Sequence, residues 1–170
     1  MSNVPDDILN ACYSDMRRMA RRILAGDGAR QLIQPTELAN EAAIRLLRSN
    51  LSGVSDQGHM LAYAARTMRQ VLIDETRKQA AKKREAVGMM TLFPGEDVHR
   101  LIDIEDLDRA LGELAVHSPD YARVVELRFM LGLSVDETAM ATRLSHRTVL
   151  RRWNAARLWL LERLGEGSPE

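Results

Sequence analysis

The chain has 170 residues, and its 24 Lys plus Arg are balanced by 24 Asp plus Glu, so it carries no formal net charge and suits one domain or two small ones. A single cysteine, Cys12, excludes an internal disulfide and a thiolate zinc cluster, which fits a reducing compartment, so a cytoplasmic protein is expected. No apolar run approaches the roughly 20 residues that span a bilayer, and the opening MSNVPDD lacks a signal pattern, so no membrane partner is expected. The neutral total hides an uneven distribution. Residues 1–86 hold 14 basic and 10 acidic side chains, residues 87–120 hold 2 and 8, and residues 121–170 hold 8 and 6. Two basic blocks split by an acidic one can present separate cationic surfaces, so neutrality does not exclude a nucleic-acid partner.

Aromatic residues are scarce, while Ala, Leu, Met and Arg abound, a composition that favours helices over sheets. An all-α protein is expected. Leu9, Cys12, Met16, Met19, Ala20 and Ile23 recur at helical steps and predict a helix from Asp6 to Leu24, ended by Gly26 and Gly28. Pro35 opens a second helix with the stripe Leu38, Ala42, Leu46 and Leu47, running to Ser49. The segment LSGVSDQG (51–58) reads as a loop. A third helix follows from His59 to Arg84, with Met60, Ala64, Met68 and Val71 apolar and Arg66 and Arg69 on roughly the opposite side.

Gly88, Pro94 and Gly95 then break the periodicity, and the acids Glu96, Asp97, Asp103, Glu105, Asp106 and Asp108 mark an interdomain linker. Beyond it, Ile104, Leu107, Leu111 and Leu114 predict a helix stopped at Ser118 and Pro119, and Tyr121, Val124, Val125 and Phe129 a second, closed by Gly132. Ser134 with Glu137 forms a capping box, and Ser145 offers another N-cap only eleven residues on. Two caps that close predict a helix-turn-helix, with helices at Val135–Leu144 and His146–Leu164.

Within the second of these helices Val149, Trp153, Ala156 and Leu160 form one apolar stripe. At about 100° per residue the outward side carries Arg147, Arg151 and Asn154, with Thr148 and Leu150 at its edges and Arg152 near the core margin. Four arginines and no acid lie between Ser145 and Arg157. Such a face fits a recognition helix in the major groove, where Arg reads guanine, Asn reads adenine and Leu150 meets a thymine methyl. A solvated amphipathic helix is the other reading of the same pattern. Trp153 and Trp159 read as packing residues.

Taken together, CYSDMRRMARRIL, IQPTELANEAAIRLL and HMLAYAARTMRQVLIDETRKQAAKKR resemble conserved region two of a bacterial RNA polymerase sigma factor of the extracytoplasmic-function (ECF) group, sigma-70 family. ALGELAVHSPDYARVVELRFMLGLSVDETAMATRLSHRTVLRRWNAARLWLLERL resembles region four. The resemblance implies a domain of residues 1–86 for core binding and the minus-ten element, an acidic linker of 87–103, and a domain of 104–166 for the minus-thirty-five element. It implies that Glu37, Asn40, Glu41 and Arg45 meet the polymerase clamp. It implies that Tyr63, Arg66, Met68, Arg69, Gln70, Arg77 and Lys78 recognise and open the minus-ten element, on a segment (66–84) of seven basic and two acidic residues. The resemblance further implies that capture of an unstacked base supplies the energy for opening.

The upstream element is assigned to His146, Arg147, Thr148, Leu150, Arg151, Arg152, Asn154 and Arg157. Leu127, Phe129 and Leu131 are either core or a contact to the polymerase flap, and the linker is either a mimic of RNA in the exit path or merely solubilising. Arg143 stands where the family usually has Gly at the turn, and Leu150 and Ala155 replace positions that are often basic. The expected partners are core RNA polymerase, promoter DNA and a possible anti-sigma or other recruiting protein.

A stand-alone helix-turn-helix regulator acting on operators is the alternative, against which the two basic blocks and the clamp-like helix speak. An enzyme is not expected. His59, His99, His117 and His146 are scattered, no glycine-rich phosphate loop or metal cluster occurs, and no cofactor or catalytic residue is assigned. With little overall attraction to phosphate, the free chain should bind duplex DNA weakly until polymerase positions both basic segments.

Overall fold

The computed structural model describes residues 4–25, 32–83, 89–92 and 100–165. The chain breakers Gly26, Gly28, Gly88, Pro94 and Gly95, the acids Glu96 and Asp97, His99 and the helix end at Arg84 lie outside these. Seven α-helices are described: α1 (Val4–Ile23), α2 (Pro35–Arg48), α3 (Gln57–Lys83), α4 (Ile104–His117), α5 (Pro119–Val125), α6 (Val135–Thr142) and α7 (His146–Gly165). The all-α class therefore stands, and the helix bounds match the apolar periodicity within a few residues.

The expected stripe of α1 is buried throughout, from Leu9 to Ile23. It packs against α2 and α3, where Leu38, Ala39, Ala42, Leu46, Met60, Ala64, Met68 and Val71 close an N-terminal bundle. Burial pushes the Cys12 thiol up to about 11, with Asp15 adding to the effect, so this cysteine is a small apolar core residue rather than a reactive thiol. The 51–58 segment is a loop as far as Asp56, but it tucks Leu51 and Val54 into the same core.

One apolar expectation on α2 needs correcting. Leu47 is 57 % exposed, together with Ile44 at 42 %, whereas Ala39 takes the buried place. The reason is geometric: Leu47 follows Leu46 by about 100°, which carries it off the buried stripe onto the polar side.

The acidic linker is structured at its described ends. Strand β1 (Met89–Leu92) pairs antiparallel with β2 (Arg100–Asp103), with Met89 opposite Asp103 and Leu92 opposite Arg100. Asp103 then caps α4, its carboxylate accepting the Glu105 amide at 2.7 Å. α4, α5 and α7 form a C-terminal bundle around Leu107, Leu111, Leu114, Val124, Trp153, Ala156 and Leu160. After Val125 the helix widens into a π-helical segment, Glu126–Met130, in which the Leu131 amide bonds the Glu126 carbonyl. Leu127, Phe129 and Leu131 are all buried there, which settles them as core. Gly132, at φ +74°, ends the segment, and a Cβ at that position would meet the Arg22 guanidinium at 2.5 Å.

The capping box of α6 is present in full: Ser134 Oγ accepts the Glu137 amide at 3.0 Å and Glu137 accepts the Ser134 amide at 2.7 Å. Those bonds hold the Glu137 carboxyl below its usual range. Arg143 ends α6 in the left-handed region, φ 56° and ψ 35°, so the turn keeps the geometry that glycine would provide. That conformation costs a residue with a Cβ about 1–2 kcal/mol, while glycine returns about 0.5–1 kcal/mol as backbone entropy. Arg143→Gly is therefore expected to raise stability by roughly 0.5–1 kcal/mol, read as a higher urea midpoint at unchanged slope. A lower midpoint would mean that the arginine side chain contributes more than its backbone strain costs.

Candidate nucleic-acid interface

Ser145 opens α7, its hydroxyl accepting the Thr148 amide at 3.2 Å. With Val149, Trp153, Ala156 and Leu160 turned into the core, helical geometry leaves Arg147, Leu150, Arg151 and Asn154 exposed on one side. Thr148, Arg152 and Arg157 are half-buried at its margins. Arg152 is anchored inward, 3.2 Å from Asp120 and over the Tyr121 ring at 5.8 Å. The Arg128 guanidinium lies 4.8 Å over Trp153, which fixes the other flank of the helix. His146 is exposed and its Nδ1 lies 2.7 Å from Asp136, tying the start of α7 to α6. Arg163 forks onto Glu113 of α4 at 2.8 and 2.9 Å, holding the far end of α7 and keeping the Glu113 carboxyl below its usual range. A cationic, acid-free helix face is thus held rigidly at both ends.

On α2, Glu37 is exposed and accepts the Gln34 amide at 3.0 Å, and Asn40 is exposed and accepts a short hydrogen bond from the Tyr13 hydroxyl. Arg45 bonds Glu41 at 2.9 Å and Asp74 of α3 at 2.7 Å, contacts that hold its guanidinium above the ordinary value against the small cost of burial. Glu41 and Arg45 are half-buried. Ile44 and Leu47 stand exposed beside these polar groups, so the α2 face mixes charge with apolar surface. The periodicity of α2 contained that signal, because neither residue falls on the Leu38, Ala42, Leu46 line.

The α3 segment is arranged differently from expectation. Tyr63 and Arg66 are exposed and line an open cleft of about 360 Å³ between α3 and α5, with His59 tilted against Tyr63 at 5.2 Å. Lys78 is also exposed, 3.0 Å from Glu75. Met68, however, is fully buried in the core, and Arg69, expected on a free polar side, is only 2 % exposed. The C-terminal bundle covers that side of α3. Arg69 bonds Asp108 at 3.1 Å and Glu126 at 2.5 Å; Gln70 donates to Asp108 at 2.5 Å; Arg77 forks onto Glu105 at 3.0 and 3.2 Å.

Burial works against the Arg69 charge, but Glu126 and then Asp108 outweigh it and keep the guanidinium above its ordinary value. Sequence reading missed these partners because they lie 28 to 57 residues away.

A family model described as ECF sigma factor matches residues 2–166. The chain belongs to the ECF sigma factor family. No curated protein matches the sequence. Family membership makes this sigma factor a component of transcription initiation whose partners are core RNA polymerase and promoter DNA. Among its described residues no group of three or more His, Cys, Asp or Glu side chains is placed to hold a metal ion, and no helix is long and apolar enough to cross a membrane.

Proposed function

We propose that this sigma factor directs promoter-specific initiation with a division of labour along the chain: residues 1–86 act as region two and residues 104–166 as region four, joined through 87–103. The observation that carries this reading is the α7 face, where Arg147, Arg151 and Asn154 stand exposed on a doubly capped helix-turn-helix with Val149 and Trp153 locked into the core. This face reads the upstream element in the major groove. Leu150, exposed among arginines, supplies an apolar contact for a thymine methyl, and Thr148, Arg152 and Arg157 at the margins, with His146 at the helix start, serve the flanking backbone. In region two, Tyr63, Arg66, Gln70, Arg77 and Lys78 take the minus-ten strand, with Arg69 joining once released from its carboxylates. Met68 sits in the core and supports the helix beneath them.

The α2 face, Glu37, Asn40, Glu41 and Arg45 with Ile44 and Leu47, docks on the polymerase clamp. Charge reversal at Glu41 in a Glu41→Arg variant both repels Arg45 and alters this face, and is expected to weaken association with core polymerase about tenfold in an equilibrium pull-down. Unchanged affinity would remove Glu41 from the interface. The proposal as a whole is tested by adding the purified chain to core enzyme on genomic DNA and sequencing the transcript starts. Discrete starts sharing two elements are expected, and no specific start would refute it. A clear footprint on duplex operators by the chain alone, with no effect of core enzyme, would favour a stand-alone regulator.

A further inference from the structure

The cleft of about 360 Å³ between α3 and α5 falls within the size range of small-molecule sites. Helical rows make its two walls. His59, Tyr63 and Arg66 follow at steps of four and three along α3, and Ala122, Arg123 and Glu126 face them from α5 and the turn after it. Ala62, Ala115 and Ala122 line the cleft with methyl groups, which leaves room where larger side chains would close it.

Donors and acceptors around the cleft are unequal. Both lining carboxylates are engaged by arginines that do not line it: Asp120 lies 3.2 Å from Arg152, and Glu126 lies 2.5 Å from Arg69. The donors are not used up. Arg66 is exposed and makes no hydrogen bond or ion pair among the described residues. Arg123 gives one terminal nitrogen to Asp56 at 2.8 Å, while its Nε is buried with no acceptor among the described residues. A buried N–H without an acceptor is uncommon, and a ligand oxygen is one way to satisfy it. Two flat rings stand beside these donors. The His59 and Tyr63 centroids are 5.2 Å apart at a tilt of 55°, and Tyr63 is 42 % exposed, so its ring is open to a planar body.

We infer that this cleft binds a small planar aromatic anion, with its ring against Tyr63 and His59 and its carboxylate or phosphate on Arg66 and Arg123. Guanidinium groups suit both kinds of anion, because their fork of donors matches two oxygens. A cation is disfavoured, since the carboxylates already hold arginines, and a neutral ring leaves the Arg123 Nε without an acceptor. The ligand touches α3 and α5 at once, so its binding energy ties the two helices together. Its regulatory consequence, unlike the site itself, rests on the reading of α3 as the minus-ten reader: ligand and promoter strand then compete for Tyr63 and Arg66, and the small molecule lowers initiation.

The test titrates the full chain calorimetrically with adenosine 5′-monophosphate and with 2-naphthoate, two planar anions of different origin. Adenosine, which lacks the anion, and inorganic phosphate, which lacks the ring, serve as comparisons. One site is expected to take at least one of the two anions with a Kd below about 1 mM. That anion should bind at least about tenfold more tightly than adenosine or phosphate, because each comparison leaves half of the site unmatched. Preference for the first anion assigns a nucleotide, and preference for the second an aryl acid. Arg66→Gln, and Ala115→Phe, which fills the cleft from α4, are each expected to weaken binding about tenfold or more while circular dichroism stays unchanged. Neither anion binding below about 1 mM, or binding that neither variant weakens, would overturn the site. Transcript starts made by core enzyme with the Arg66→Gln chain separate the two readings. Absent anion binding with initiation still impaired by Arg66→Gln overturns the site and leaves the minus-ten reading intact. Anion binding with initiation indifferent to Arg66→Gln keeps the site and overturns the competition with promoter strand.

Discussion

Trp153→Ala is expected to remove about 3–5 kcal/mol of stability, the range for deleting a large buried aromatic side chain with its cavity. The ring is 7 % exposed, stands between Val149 and Ala156 on the buried stripe of α7, and carries the Arg128 guanidinium on its face at 4.8 Å. No other aromatic shares that stripe. The C-terminal bundle is small, so a loss of this size approaches its whole stability. Thermal unfolding should show an early transition, and hydrogen exchange should place the lost protection in α4, α5 and α7. Association with core polymerase, which we propose runs through α2, should survive, because that face belongs to the other bundle. A loss below about 1 kcal/mol would mean that the ring contributes little packing and that α7 is held mainly by the Ser145 cap and the Arg163–Glu113 pair.

Arg151→Ala is expected to relax base preference in the upstream element rather than merely weaken binding. Its guanidinium is exposed at the middle of the α7 face, where its donors can reach a guanine edge. A bidentate contact discriminates by about 1–3 kcal/mol, or roughly 5- to 150-fold between the preferred and the wrong base. The measurement is initiation by holoenzyme on a promoter library varied at the upstream element. Loss of preference at one position with others retained is the expected pattern. A uniform loss across the library, with a shallower salt dependence, would assign Arg151 to phosphate instead.

These two expectations differ in how far the amino-acid sequence alone supports them. The α7 stripe was legible because a helix repeats every 3.6 residues and four apolar side chains obeyed that period. The capping box at Ser134 and Glu137 was legible because capping joins residues three apart. Arg143 was legible as an anomaly, and its left-handed backbone is the conformation that a turn of this length demands. Leu47 was misread, since a run of two leucines obscures which one the neighbouring helices cover.

The acidic block shows the other limit. Its charge and position were plain from the sequence, and a linker was the natural reading, yet Asp103 is an N-cap and Glu105 and Asp108 are partners of α3. Zero net charge likewise turned out to conceal a direct neutralisation, in which the acids sit on the arginines rather than merely averaging with them.

Local order set the helices, the caps, the turn and the exposed arginines of α7, because each depends on residues within about one or two helical turns of one another. Tertiary structure alone decided the fate of Arg69, Gln70 and Arg77. Whether a polar helix side faces water or another bundle depends on contacts between residues distant in the chain, and no periodicity within α3 records what will be packed against it.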